Sequence, residues 1–165
     1  ASISGSFINC TGSRACYNHS LQCDNATSCS ILCDGFESCK LSHFQCPLNI
    51  SVHCNISCIT GDDSCEDATI DASGSQSLHL LGQNGYDSSS NSALRRAIVI
   101  CPQSASNSVC DITGIGDDSL YDIQVNAVNT GKLVVYGYTG EDILKGADIF
   151  CPLISTSNDP SLTNC

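Results

Sequence analysis

Apolar and polar residues alternate over short runs of this chain, and glycines separate the runs. Cys54-Asn55-Ile56, Leu78-His79-Leu80 and Cys110-Asp111-Ile112 each carry apolar side chains at every second position, the period of a strand with one buried face. Aligning Gly12, Gly35, Gly61, Gly85, Gly116 and Gly140 brings all such runs into one frame, provided residues 89–93 are looped out. Four places after the glycine come Cys16, Cys39, Cys65, Leu94, Leu120 and Leu144. Nine places after come Leu21, Phe44, Ile70, Val99, Val125 and Ile149. Eleven places after come Cys23, Cys46, Ala72, Cys101, Ala127 and Cys151. The glycine steps are 23, 26, 24, 31 and 24 residues. Short strands at so regular a period predict a solenoid in which each coil buries its face on its neighbours. The predicted fold is all-β: a right-handed parallel β-helix of about six coils, forming a single domain over 1–165. Cystine-stapled, glycosylated coils occupy 1–75, Leu/Ile/Val-packed coils 76–151, and a C-terminal tail 152–165.

Cysteine and leucine share columns because a buried half-cystine fills the same space as an apolar side chain. The chain has 14 cysteines, a density typical of disulfide-built secreted proteins. No CxxC pair occurs, so zinc or thioredoxin chemistry finds little support. Where the eleventh place is Cys, the next strand opens with Cys; where it is Ala, the next opens with Leu. Where Cys precedes the glycine, the fourth place is Cys; otherwise it is Leu. The frame therefore predicts sequential bridges: Cys10–Cys16, Cys23–Cys29, Cys33–Cys39, Cys46–Cys54, Cys58–Cys65 and Cys101–Cys110. Cys151–Cys165 remain as the last pair. Each closes a short loop and restricts the unfolded chain by roughly 2–3 kcal/mol.

Five N-x-S/T sequons stand at Asn9, Asn18, Asn25, Asn49 and Asn55. In a cysteine-rich chain they predict passage through a secretory pathway and N-linked glycans. Asn9 and Asn55 flank inward isoleucines, so alternation turns them outward. The chain starts at Ala1 without an apolar leader, so a signal peptide is expected to have been removed. Nothing approaches the length of a membrane-spanning helix, and membrane insertion is not expected. A net charge of −11 opposes nucleic-acid binding.

The stretch Cys10-Thr11-Gly12-Ser13-Arg14-Ala15-Cys16 resembles a coil of the beetle antifreeze β-solenoids, which bridge cysteines six apart. That resemblance implies an outward threonine array, but Thr11 has Asp34, Thr60 and Asn84 as counterparts. Over residues 1–75 the C-x-G-x-x-S-C rhythm resembles the cysteine-rich β-helical repeats of secreted protist proteins, implying a surface or matrix role.

Two places after each glycine stand Arg14, Glu37, Asp63, Asp87, Asp118 and Asp142. With coils stacked about 4.8 Å apart, five of these form a carboxylate ladder. Acidic residues at glycine turns commonly cap backbone amides. The ladder also fits a cation edge, since calcium favours hard oxygens and would relieve the repulsion. An enzyme is not expected, although Arg95 and Arg96 with Asp87 and Asp118 are the residues a polysaccharide-active cleft would use. His19 and His43 are read as one packing column. No cofactor is expected apart from Ca²⁺ at the ladder.

Neither terminus carries an amphipathic helix to cap a solenoid end. Uncapped ends that stack without closing make a filament. Arg14, alone among acids, is placed to meet the ladder of a preceding copy. The expected protein is a secreted, glycosylated structural subunit that assembles with itself head to tail in a filament or cell-surface coat. A secreted Ca²⁺- or glycan-binding module is the alternative, with ice binding behind it.

Overall fold

The computed structural model describes residues 2–23, 28–84, 92–103, 107–140 and 142–150. Asn25, Gly85, Asp87, Cys151 and Cys165 lie outside them. The chain winds as a β-solenoid with no helix among the described residues. The strands in chain order are β1 (Ser2–Gly5), β2 (Phe7–Thr11), β3 (Ser20–Cys23), β4 (Ser28–Asp34), β5 (His43–Gln45), β6 (His53–Ile59) and β7 (Thr69–Asp71). They continue as β8 (Ser77–Gln83), β9 (Ile98–Ile100), β10 (Val109–Ile115), β11 (Gln124–Asn126), β12 (Lys132–Tyr138) and β13 (Asp148–Phe150). Odd-numbered strands form one parallel sheet of seven, and even-numbered strands a second parallel sheet of six. Each coil thus contributes one strand to each sheet, and a stretch of turns carries the chain from the even strand to the odd one.

The register is the one the columns require. In the even sheet Ile8, Ile31, Ile56, Leu80, Ile112 and Val135 are successive partners. In the odd sheet Leu21, Phe44, Ile70, Val99, Val125 and Ile149 are. These ladders point inward, and all but the terminal Ile149 are buried in a single core. A fully buried aliphatic side chain of this size contributes about 2 kcal/mol.

Two inward corners flank that core, and in each a cystine alternates with a small–large apolar pair. Cys10–Cys16, Cys33–Cys39 and Cys58–Cys65 stack in one corner. From the fourth coil on, the first cysteine of that pair becomes Gly82, Gly114 or Gly137, and the second becomes Leu94, Leu120 or Leu144. A Cβ added at Gly82 would lie 2.6 Å from Leu94 Cδ1, and one at Gly114 would lie 2.7 Å from Leu120 Cγ. Leucine therefore occupies the volume that the missing half-cystine vacates. In the other corner Cys23–Cys29, Cys46–Cys54 and Cys101–Cys110 alternate with Ala72/Leu78 and Ala127/Leu133. These are the six bridges expected between described cysteines; Cys151–Cys165 falls outside the described residues.

The register shifts three sequence assignments. Gln83 pairs with Ile115, and the Asn84 amide donates to the Ile115 carbonyl, so Asn84 rather than Gly85 holds the glycine place of its coil. Asp34 pairs with Ile59, which makes Ile59 rather than Thr60 the counterpart of Thr11. Thr60 is an extra residue at φ +54°, as Thr139 is at φ +44°, and these left-handed insertions lengthen their coils without moving the columns. His43 pairs with Ser20, whereas His19 lies beside Ser42 and donates its amide to that hydroxyl at 3.2 Å, so the two histidines occupy adjacent columns. The glycine column itself is a close approach: a Cβ on Gly61 would meet the Gly35 carbonyl carbon at 2.1 Å.

Gly114 and Leu120 are six apart and follow the same spacing as Cys33 and Cys39, with a serine before the second residue in both coils. The double variant Gly114→Cys with Leu120→Cys is therefore expected to form a bridge in the folded protein. Its chain restraint of roughly 2 kcal/mol offsets the lost leucine burial, so the melting temperature should change by only a few degrees. Two free thiols in the folded variant would show that the corner volumes are not interchangeable.

Candidate functional site

The turn stretch between even and odd strands forms a third face. Residues two and six places after the glycine adopt left-handed backbone: Arg14 and Asn18, Glu37 and Leu41, Asp63 and Asp67, Asp118 and Asp122, and Asp142 and Gly146 have φ between +51° and +73°. Asp, Asn and Gly reach this conformation at lower cost than other residues. The acidic column is thus a consequence of backbone handedness. Asp87 is not described, and the place next to Asp63 falls to Ser92, because the Cys65 amide donates to the carbonyl of Ala93.

Basic side chains meet much of this column. Arg14 Nε donates to Glu37 Oε2 at 2.7 Å in the following coil and stacks over the Tyr17 ring at 5.0 Å. Lys40 Nζ lies 3.2 Å from Glu37 Oε1 and 3.4 Å from Asp63 Oδ2, and it also contacts Glu66. Glu66 is only 3 % exposed. Arg96 reaches it at 2.5 Å and grips Asp67 with two bonds of 2.7 and 2.8 Å. Arg95 adds a contact of 4.0 Å to Glu66 and lies over the Tyr121 ring at 5.6 Å. Lys145 faces the other side of the sequence of contacts, 6.0 Å from the Tyr121 ring and 2.8 Å from Asp142. Cationic, anionic and aromatic groups therefore line the face from the first coil to the last.

This line has a sequence signature that the glycine frame contains but the acidic column alone does not reveal. The fifth place after the glycine reads Tyr17, Lys40, Glu66, Arg95, Tyr121 and Lys145. From Lys40 onward each member can attract the next by charge or by cation–π contact. Titration follows the geometry. The Arg14 hydrogen bond holds the Glu37 carboxyl below its ordinary value. Arg96 does the same to Asp67. Burial, and then the neighbouring Glu66, pushes Asp63 the other way. Lys40 loses solvation, but Glu66 and Glu37 outweigh that and raise its ammonium above the usual lysine range. Arg95 and Arg96 are engaged with acids of the preceding coil.

Four sequon asparagines are described and all are exposed. Asn9 on β2 and Asn55 on β6 face outward from the even sheet, Asn18 lies on the turn face, and Asn49 sits in the loop between β5 and β6. Asn9 Oδ1 accepts from the Thr11 hydroxyl at 2.5 Å, and Asn49 Oδ1 accepts the Ser51 amide at 3.0 Å. A shallow groove of about 290 Å³ crosses the even sheet between Asn55, Ser57, His79, Leu81, Asp111 and Thr113. In it His79 Nδ1 lies 3.6 Å from Asp111 Oδ2. Around Thr11 the even sheet presents Asp34 and Ile59, not threonines.

The ends complete the picture. β1 and β2 are the first strands of their sheets and β13 and β12 the last; no described strand pairs with their outer edges. The core reaches both ends, with Ile3 and Ala15 partly buried at one and Ile143, Leu144, Ala147 and Ile149 at the other. No protein-family model, curated protein or solved structure matches this chain. The bridges among described cysteines are of a number typical of extracellular proteins.

Asp63 is charged at a cost in the folded state, so folding is less favourable once pH rises through its titration range. Asp63→Asn, which keeps a side chain suited to left-handed backbone, is expected to raise the melting temperature at pH 7 by about 2–4 °C. The gain should disappear below about pH 3, where the carboxyl is protonated in both states. A loss of stability at pH 7 would mean that its contact with Lys40 outweighs its burial.

Proposed function

We propose that this chain is a structural subunit of an extracellular, N-glycosylated filament or cell-surface coat, joined to copies of itself through the open ends of its solenoid. The observation that carries this reading is the match between the ends. Continuing the odd-sheet register across a junction sets Ile149 of one copy on Ile3 of the next, the kind of contact each coil already makes with its neighbour, while the even sheet, one strand shorter, leaves one strand place between Val135 and Ile8. Partly exposed apolar side chains at both ends gain burial by stacking, and the outer edges of β1, β2 and β12, which pair with no described strand, gain hydrogen bonds. Contacts of this heterologous kind extend indefinitely when they do not close.

The sequons support the same reading. The described ones point sideways from the coil axis, so glycans on them would coat the lateral surface and leave the ends free. A cation edge gains less support, because Arg14, Lys40 and Lys145 already face Glu37, Asp63 and Asp142.

Negative-stain electron microscopy of the native protein, with and without EDTA, tests the reading. Uniform fibres are expected under both conditions, and Ile3→Asp is expected to reduce them by placing a charge in the junction. Fibres that dissolve in EDTA would replace turn chemistry with a calcium clamp. Dispersed particles at assembly-competent concentrations would contradict the proposal and favour a binding module.

A further inference from the structure

The register of the even sheet sets Asn55, His79, Asp111 and Val134 in one outward column. Two places further along each strand, a second outward column holds Ser57, Leu81, Thr113 and Tyr136. Both columns bound the groove of about 290 Å³, which spans β6, β8 and β10. The groove therefore crosses the strands and follows the solenoid axis. At its β6 end lies Asn55, the acceptor of the sequon Asn55-Ile56-Ser57. Tyr136, stacked on Tyr138 at 6.0 Å, stands one strand beyond Thr113.

The lining chemistry suits carbohydrate. Leu81 supplies apolar surface, while His79, Asp111 and Thr113 offer a ring nitrogen, a carboxylate and a hydroxyl. Sugars bind in the same two ways, through an apolar ring face and through hydroxyl donors and acceptors. His79 Nδ1 and Asp111 Oδ2 stand 3.6 Å apart, too far for a good hydrogen bond. Both side chains are partly exposed, so each keeps bonding capacity for a ligand. The volume is at the lower end for small-ligand sites, roughly 300 Å³, and the groove is shallow, so a free sugar gains little there. A sugar attached at the rim differs, because a short tether holds it at an effective concentration of about millimolar. Weak contacts then suffice. From β6 to β12, strand steps of about 4.8 Å give a path of about 14 Å, room for the first sugars of an N-linked chain.

We propose that this groove seats the carbohydrate on Asn55. Its first N-acetylglucosamine residues run from Asn55 across β8 and β10. A ring face lies on Leu81, and hydroxyl and acetamido groups turn toward His79, Asp111 and Thr113. A glycan held in this way covers outward apolar side chains of the later coils, Leu81 and Tyr136 among them. The proposal rests on the N-glycosylation in the reading above, not on end-to-end assembly.

Endoglycosidase digestion of the full chain, secreted with oligomannose glycans and kept dilute and native, tests it. The enzyme cuts between the two core sugars, and a docked chain is cut only while released. Cleavage at Asn55 is expected to be about tenfold slower in the parent than in Leu81→Glu, the effect of a glycan released about a tenth of the time. Asn49, in the loop between β5 and β6, is expected to be cut at the same rate in both. Thermal melts establish that Leu81→Glu folds. Amide NMR of Asn55→Gln supplies a second readout. Resonances of His79, Leu81 and Thr113 are expected to shift relative to the parent, and those of the odd sheet to stay in place. Free N,N′-diacetylchitobiose is expected to move them back only at millimolar concentration. Equal cleavage rates at Asn55, or an unshifted Thr113, would each overturn the proposal while leaving glycosylation in place. Micromolar binding of the free disaccharide would also overturn it, making the groove a receptor for a separate glycan. An Asn55 that carries no glycan would remove both the proposal and the part of the reading on which it rests.

Discussion

Each coil of this solenoid has to present the same cross-section to the next, and the two inward corners are where that requirement is met chemically. A corner holds a cystine or a small–large apolar pair: Cys with Cys, Gly with Leu, or Ala with Leu. The bonding differs completely between these solutions, yet the stacking of Ile31 on Ile56 in one half continues as Leu80 on Ile112 in the other. Interior packing at near-crystal density explains why only volume-matched pairs are found. The early coils, poor in large aliphatics, hold their shape with covalent bridges. The later coils use Leu94, Leu120 and Val135 and need fewer.

The third face answers to a different constraint. Its backbone turns left-handed at the second and sixth places after the glycine, and that selects Asp, Asn and Gly at many of those places. Arg14, Leu41 and Arg96 stand there too, without the local advantage of those residues; Arg14 and Arg96 make their ion pairs from this position. The acids created by the backbone pattern stack near one another, and Arg14, Lys40, Arg96 and Lys145 pair with Glu37, Asp63, Glu66, Asp67 and Asp142 among them. Five of the chain's six Lys and Arg residues lie on this face, Lys132 being the other. This conformational preference gives the face its acidity, and the acids in turn hold the ion pairs.

Much of the fold was legible because a solenoid writes its contacts into the chain at a fixed period. The columns at the fourth, ninth and eleventh places appear as the stacked interior, and the bridges between described cysteines follow from them. Single-residue insertions were harder to see. Thr60 and Thr139 enter as left-handed bulges that leave the apolar columns in phase, so periodicity alone does not locate them. Asn84 takes the glycine place by register, although the adjacent Gly85 carries the stronger sequence signal. The glycines opposite Leu94 and Leu120 carry no side chain and leave no hydrophobic signature; only the space occupied by leucine reveals their role. The fifth-place ladder mixes aromatic and charged residues of both signs, so it has no single composition, and it becomes visible when attraction between successive members is asked for instead of similarity.

The central claim is that one register governs the whole chain, so that every covalent tie is local to a coil and its corner. Non-reducing peptide mapping of the intact protein tests it most directly. The account predicts seven bridges, each between cysteines adjacent in sequence and including Cys151–Cys165. A bridge joining cysteines that are not consecutive cysteines of the chain, such as Cys16 to Cys39 or Cys58 to Cys165, would contradict it.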